Sequence, residues 1–406
     1  MKYNFDAVII GGGASGLICA VSAKKNNPGR KVAVVEKNDR VGKKLLSTGN
    51  GRCNITNAAV SAENLNKYLG AEELRSVFER FDSKALLKYF KELGLLASAD
   101  GEGRYYPLSR QASSVLDVLR YNCEQLGVEF FCGEAVKSVS RQRQFAVKTE
   151  NSVFFADKLV LAVGSPAAPK LGGTGFSNLL SGESAHKTAP FRPILCPVKV
   201  KPDGALKSLK GLRAQAEVSL LNTNKAVKTE RGEVQFNEDN LSGICVFNLS
   251  LHTEKGDSLS VDLLPDISEK ELYNILLQNK ERFSAQTADN IFTGILQKRI
   301  AQAALKKAEV SGFSRKCAEL TESELKKAAK SAKALRFQII GNLGFDRAQS
   351  CKGGVKVSGQ IDRTTLESRR VKNLYFCGEA IDVCGECGGY NLHFAFATGI
   401  IAGEQL

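Results

Sequence analysis

The chain has 406 residues, 43% hydrophobic and 25% charged, an ordinary balance for a globular protein large enough for two or three domains. No apolar stretch approaches the ~20 residues of a membrane helix, and eleven scattered cysteines do not form a disulfide framework. The formal charge of +14 leaves two uses open: a nucleic-acid footprint, or attraction of anionic cofactors and substrates.

The chain opens with a strand, Ala7-Val8-Ile9-Ile10, followed by the turn Gly11-Gly12-Gly13 and a helix starting at Ala14. A second apolar run, Val32-Ala33-Val34-Val35, ends on Glu36 and Lys37. In this G-x-G-x-x-G pattern Gly11 permits the tight turn, Gly13 lets the backbone approach a pyrophosphate, and Gly16 lets helix and strand pack closely. The free N–H groups at Ala14 and Ser15 face the phosphates. Glu36 is placed to accept hydrogen bonds from a ribose diol. The spacing predicts a bound adenine dinucleotide. A cleavable signal would remove part of the first strand, so the protein is expected to be cytoplasmic.

Further along, residues 71–94 and 113–126 read as helical and 128–132 as a strand. Residues 145–149 and 153–155 form a hairpin around Glu150-Asn151. The apolar strand 159–163 ends at Gly164, which suggests a second approach to the cofactor. Pro190, Pro193 and Pro197 mark a crossing between domains. From 198 to 264 the pattern is β, with strands at 214–221, Lys225–Phe236, 244–251 and 259–263, fitting a small barrel or sandwich. Residues 268–335 turn helical, with capping boxes at Ser268/Glu271 and Thr321/Glu324. The lysines and arginines between Lys298 and Lys333 recur as a solvated helix face without interleaved aromatics, so nucleic acid is not the expected partner. A strand at 374–377 and a helix from about Asn391 complete an α/β domain. The expected division is therefore 1–193 and 336–406 for a split nucleotide domain, 194–266 for a β insert and 267–335 for a helical one.

Other motifs converge. They are Ser47-Thr48-Gly49-Asn50-Gly51-Arg52-Cys53-Asn54-Ile55-Thr56-Asn57, Gly103-Arg104-Tyr105-Tyr106-Pro107 and Gly353-Gly354-Val355, then Cys377-Gly378-Glu379-Ala380-Ile381-Asp382 and Gly388-Gly389-Tyr390-Asn391-Leu392. Together they resemble the YhiN/HI0933-like family of bacterial flavoproteins over nearly the whole chain. The resemblance implies a glutathione-reductase-like FAD-binding Rossmann domain split by an inserted β-barrel plus helical module. It also implies an FAD-dependent oxidoreductase, either an oxo-bile-acid or enone reductase or an amine or amino-acid oxidase. NADH or NADPH is then a possible transient donor, and the substrate is a small or medium organic molecule under the insert. Val136 is the residue the family places against adenine. Around Gly172-Gly173-Thr174-Gly175-Phe176 the family's acidic-glycine ending is missing, and residues 236–244 lack its Thr-His and Gly-Pro features.

Within that frame, the loop from Gly42 to Asn57 supplies Lys44, Thr48, Gly49, Asn50, Gly51, Cys53 and Asn54 to a diphosphate and a flavin edge. Gly378 and Glu379 belong to the cofactor set. Asp382 either holds a ribityl hydroxyl or caps a turn. Gly388-Gly389 would let the backbone lie against a flat ring. The helix after it, with Tyr390, Asn391 and Leu392, would turn its positive end to the ring. Cys384 and Cys387 form a CxxC that reads as a redox dithiol or a backbone-shaped turn. His393 is either a proton donor or a satisfied helix-start residue, and the three histidines form no ligand cluster, so no metal site is expected. No catalytic residue can be named. Competing classes are a flavin-dependent RNA-modifying enzyme and a non-catalytic flavoprotein sensor.

Overall fold

The computed structural model describes residues 1–175 and 186–406. Phe176 of the glycine-rich stretch lies outside them. The chain divides into two units, Met1–Pro193 with Ala348–Leu406, and Ile194–Arg347.

The first unit is built on a seven-stranded sheet. Its first strand, Lys2–Ile10, lies between Val32–Glu36 and Val153–Leu161, parallel to both. These strands are buried on both faces, which is why they read as continuous apolar runs rather than alternating ones. Val153–Leu161 pairs antiparallel with Phe145–Lys148 through its first half and parallel with Leu374–Phe376 through its second. The hairpin's second strand, expected at 153–155, and the apolar strand expected at 159–163 are thus one continuous element.

Two helices cover the sheet next to the glycine turn. The first, Ala14–Asn26, and the last, Tyr390–Glu404, are packed together along their length. Small residues permit this approach: a Cβ on Gly399 would fall 2.5 Å from the Ser15 carbonyl oxygen, and one on Gly403 would fall 2.4 Å from that of Cys19. Ser22 Oγ adds a hydrogen bond to the Ile400 carbonyl at 2.9 Å. The chain's two ends therefore form one wall.

The second unit contains a closed six-stranded barrel: Val198–Val200, Asn240–Ser242, Lys225–Phe236, Arg213–Asn222, Ser258–Asp262 and Leu335–Asn342 in spatial order. Helices Glu269–Arg282, Lys298–Lys307 and Glu322–Lys333 lie between its last two strands in sequence and have their own core around Leu276, Phe292 and Leu325. Both expected capping boxes form. Much of the basic charge here is paired locally, as in Lys333 with Asp262 at 2.7 Å and Lys298 with Asp289 at 3.3 Å.

Two expectations are corrected in this unit. Residues 244–251 do not form a strand: Ile244–Leu249 is a helix. Its buried positions, Cys245, Val246 and Leu249, follow helical spacing, which a short apolar run conceals. The boundary expected at 335/336 also moves, because Leu335–Asn342 closes the barrel. It buries Leu335, Phe337 and Ile339 and exposes the residues between them, a period of two that marks a barrel strand.

Candidate functional site

A cavity open to solvent lies in the first unit. The glycine turn forms its floor. Gly11 adopts φ 105, a conformation open to glycine, and a Cβ there would strike the Ala162 carbonyl oxygen at 2.4 Å. Gly16 is needed for packing alone, since a Cβ would lie 1.9 Å from the Gly11 carbonyl oxygen. Gly13 differs from both: a Cβ there would meet nothing within 4 Å. Its bareness serves no contact within the chain, as expected of a position kept clear for a ligand.

Two helix N-termini reach this cavity. Ala14–Asn26 starts after Gly13 and Tyr390–Glu404 starts after Gly389, neither with a side-chain cap nor with an acidic residue in the first turn. Gly13, Ala14 and Ser15 line the cavity from one helix, and Asn391, Leu392 and Ala395 line it from the other. Their free N–H groups and dipole ends favour negative charge there.

Charged side chains complete the lining. Glu36 is buried at the end of its strand, accepting from Gly12 N at 2.8 Å, Asn38 N at 2.8 Å and Asn38 Nδ2 at 2.6 Å. Two oxygens sharing three donors retain acceptor capacity for a further hydroxyl pair. Opposite, Lys44 Nζ lies 2.7 Å from Glu379 Oε2, which also accepts from Ser165 Oγ at 3.0 Å, while Glu379 Oε1 accepts from Ser350 Oγ at 2.6 Å. Burial acts to raise the Glu379 pKa, but the Lys44 charge and the three donors outweigh it and hold the carboxyl below its ordinary value. Glu379 is thus ionised at neutral pH and fixes Lys44 at the cavity wall. The donor set of the Ala14 helix start plus a lysine suits a diphosphate, and the acceptor Glu36 suits a diol.

The structure gathers Gly11, Gly13, Ala14, Ser15, Glu36, Lys44, Thr48, Gly164, Glu379, Asn391 and Leu392 around this cavity, as the motifs suggested. Other expected residues do not line it. Lys37 reaches Thr174 Oγ1 at 3.5 Å. Gly49, Asn50 and Gly51 form an exposed turn, and Cys53 is buried beneath it. Val136 packs on the edge of the domain core. Gly378 sits over Ser15, where a Cβ would come within 2.8 Å of its hydroxyl oxygen. Asp382 does not line the cavity either: its Oδ1 accepts from Gly353 N, in the strand Ser350–Val355, at 2.8 Å, whereas Glu379, three residues earlier, does line it. Gly388 and Gly389 do not line it, and Gly389 has a need of its own: a Cβ there would lie 2.6 Å from the Thr56 carbonyl. Tyr390 is buried, its carbonyl accepting from Tyr68 OH at 3.0 Å. Asn54 is buried beside Gly389.

His393 is no proton donor to the cavity. It is fully buried, with Nε2 donating to the Phe81 carbonyl at 2.9 Å, so Nδ1 accepts from Thr56 Oγ1 at 2.8 Å. Burial lowers its pKa to about 4 and keeps the ring neutral. Cys384 is buried and its thiol is pushed up to about 12 by that burial, the opposite of an activated redox cysteine. Cys387 Sγ lies 3.8 Å from Gln349 Oε1, at the cavity rim. Among the described residues no group of three His, Cys, Asp or Glu could hold a metal ion, and no helix is long and apolar enough to cross a membrane.

Ser165, Ser350 and Gln349 were missed in the sequence. Ser165 follows Gly164 at the end of a buried strand, the position where such a signal is expected. Gln349 precedes, and Ser350 opens, a short strand with no local mark.

A family model described as HI0933-like protein Rossmann domain matches residues 5–405. A relative from Clostridium scindens, named 3-dehydro-bile acid delta(4,6)-reductase, is 34% identical over 98% of this chain and 97% of its own. One from Escherichia coli, named ribosomal RNA dihydrouridine synthase, is 28% identical over 99% of this chain and 98% of its own. Among solved structures, the FrdA chain of the E. coli quinol fumarate reductase matches with a TM-score of 0.50 at 15% identity, covering all of this chain and 70% of that one. That likeness concerns the fold.

Proposed function

The chain belongs to the HI0933-like family of Rossmann-domain proteins and is an oxidoreductase, and we propose that it uses FAD to move a hydride to or from a small or medium organic molecule. One observation carries this reading: two uncapped helix starts, at Ala14 and Tyr390, meet at a cavity that also holds Lys44 and Glu36.

FAD, when bound, supplies the two-electron redox centre. The chain supplies the rest. The N–H groups after Gly13 and the Lys44 ammonium offset the charge of the diphosphate. Glu36, oriented by Gly12 and Asn38, receives the ribose diol. The start of the last helix, which reaches the cavity, would favour the added negative charge of a reduced flavin held there. A helix end of this kind contributes about 0.3–1 kcal/mol when exposed and up to ~2 when partly buried. Since 1.4 kcal/mol corresponds to about 30 mV in a two-electron couple, it raises the potential modestly.

The favoured reaction is reduction of a carbon–carbon double bond conjugated to a carbonyl, fed by NADH or NADPH. The delta(4,6)-reductase relative acts on a substrate of that class by its name, and it is the more similar of the two relatives described. Reduction of uracil in RNA is the second reading. It is favoured by the dihydrouridine synthase relatives and by the charge of +14. Both share one bond type, so one assay separates them. The purified yellow protein is mixed anaerobically with NADH or NADPH, and an enone steroid or a uridine-containing ribosomal RNA fragment is then added. Bleaching by the nucleotide and recovery of absorbance with the steroid is the expected result. Recovery with the RNA alone selects the second reading, and colourless protein that takes up no FAD overturns both.

A further inference from the structure

Most polar side chains on the cavity wall are committed within the protein. Asn38 donates to Glu36, Lys43 pairs with Asp39 at 2.6 Å, and Thr48 Oγ1 donates to the Leu45 carbonyl at 2.6 Å. Asn391 holds the backbone of Gly385 with both ends of its carboxamide, accepting from N at 2.9 Å and donating to O at 2.7 Å. Gln349 is different. It lines the cavity and is exposed, and among the described residues its Nε2 donates to nothing. Its amide nitrogen therefore offers two N–H donors to an occupant of the cavity.

The residue sits on a braced stretch of chain. Gln349 lies between Ala348 and Ser350, both buried, so its backbone is pinned on either side. Ser350 Oγ donates to Glu379 Oε1 at 2.6 Å, which ties this stretch to Lys44 and its partners. The carboxamide is oriented too. Cys387 Sγ lies 3.8 Å from Gln349 Oε1, so a donating thiol turns the oxygen toward Cys387 and leaves the amide nitrogen unengaged. Donors carried on a braced backbone keep one geometry, as recognition of a single acceptor atom requires.

Reduction of a double bond conjugated to a carbonyl creates such an atom. A hydride that originates on NADH or NADPH is added to the β-carbon, and the double-bond electrons move toward the carbonyl oxygen. Negative charge stays on that oxygen until a proton from water reaches the α-carbon. An amide donor binds the charged oxygen more strongly than the starting carbonyl, which lowers the barrier. Resting on the reading of function above, we propose that the Gln349 amide hydrogen-bonds this carbonyl oxygen and is a catalytic residue of the reduction. A steroid enone and a uracil share the conjugated carbonyl, so the role is the same for either substrate.

The test separates the two half-reactions in the full-length, FAD-loaded protein. Wild type and Gln349→Leu, which has similar bulk but no donor, are bleached anaerobically with NADH or NADPH. Reoxidation is then timed with testosterone, a steroid enone, or with a uridine-containing ribosomal RNA fragment. Whichever probe reoxidises the wild type is expected to act about tenfold more slowly on Gln349→Leu, the worth of one good hydrogen bond. FAD affinity, melting temperature and bleaching rate should match the wild type. Gln349→Glu keeps the shape but sets a carboxylate against the developing charge, and it is expected to be slower still. Reoxidation of Gln349→Leu at the wild-type rate overturns the proposal. So does a parallel loss of FAD affinity or bleaching rate, which would assign the amide to the cofactor. If neither probe reoxidises the wild type, the double-bond reading falls and this role with it, a result distinct from the other two.

Discussion

Lys44 Nζ and Glu379 Oε2 stand 2.7 Å apart although 335 residues separate them in sequence. One lies on the short helix Lys43–Ser47 after the second strand, the other on the turn Gly378–Ala380 before the last helix, so this ion pair joins both halves of the split domain at the cavity. Both side chains are mostly shielded, at 27% and 17% exposure, which places the pair between surface and core. Its geometry matters because Ser165 and Ser350 also donate to Glu379, fixing the carboxylate that positions Lys44 at the cavity wall.

Lys44→Met is expected to weaken FAD binding by about 10- to 100-fold, the scale of a charged hydrogen bond of 1.5–3 kcal/mol. Glu379→Gln should act differently, lowering the melting temperature of the apoprotein more than that of the FAD complex, because bound diphosphate supplies a substitute anion for Lys44. Titration calorimetry and thermal melts of both variants, with and without FAD, check the pair.

His393 gives the protein a pH signature. Its folded pKa of about 4 lies below the ordinary 6.5 because of burial, so the unfolded chain binds the extra proton first as pH falls. Stability from this group is complete above pH 6.5 and declines progressively toward pH 4, by about 3 kcal/mol in all at 1.36 kcal/mol per unit. His393→Gln should show a flatter stability curve across that window in denaturant titrations at fixed pH. An unchanged curve would exclude the residue as its source.

Helix contact at the chain ends has a steric test. Gly399→Val would press a side chain against the Ser15 carbonyl, where even a Cβ would be 2.5 Å away. Overpacking of this kind costs about 1–3 kcal/mol. Since the contact places Asn391 and Leu392 at the cavity, FAD affinity and melting temperature should fall together.

The sequence disclosed those parts of the fold that chain-local chemistry dictates. The turn from Gly11 to Gly16, the strand ending at Glu36 and the capping boxes at Ser268 and Thr321 are each specified within a few residues, and each was legible. Leu335–Asn342 was not, because its partner strands lie far away in sequence and only closure of the barrel assigns it. Ile244–Leu249 was misread because six mostly apolar residues fit either period. At the site, Glu379 and Asp382 are equally plausible carboxylates in one dimension. Burial beside Lys44 and the bond from Gly353 N tell them apart, and neither is written in the motif. Gly388-Gly389 showed a real need for glycine but not which neighbour imposes it.

The central claim, that a dinucleotide diphosphate lies across the first helix start, meets its most direct test at Gly13. Because a Cβ there has nothing within 4 Å in the protein, Gly13→Val should leave the apoprotein's melting temperature within about a degree of wild type. Measured by flavin absorbance after reconstitution, the variant should take up less than a tenth of the FAD that wild type does. Wild-type FAD uptake by a normally folded Gly13→Val protein would contradict the account.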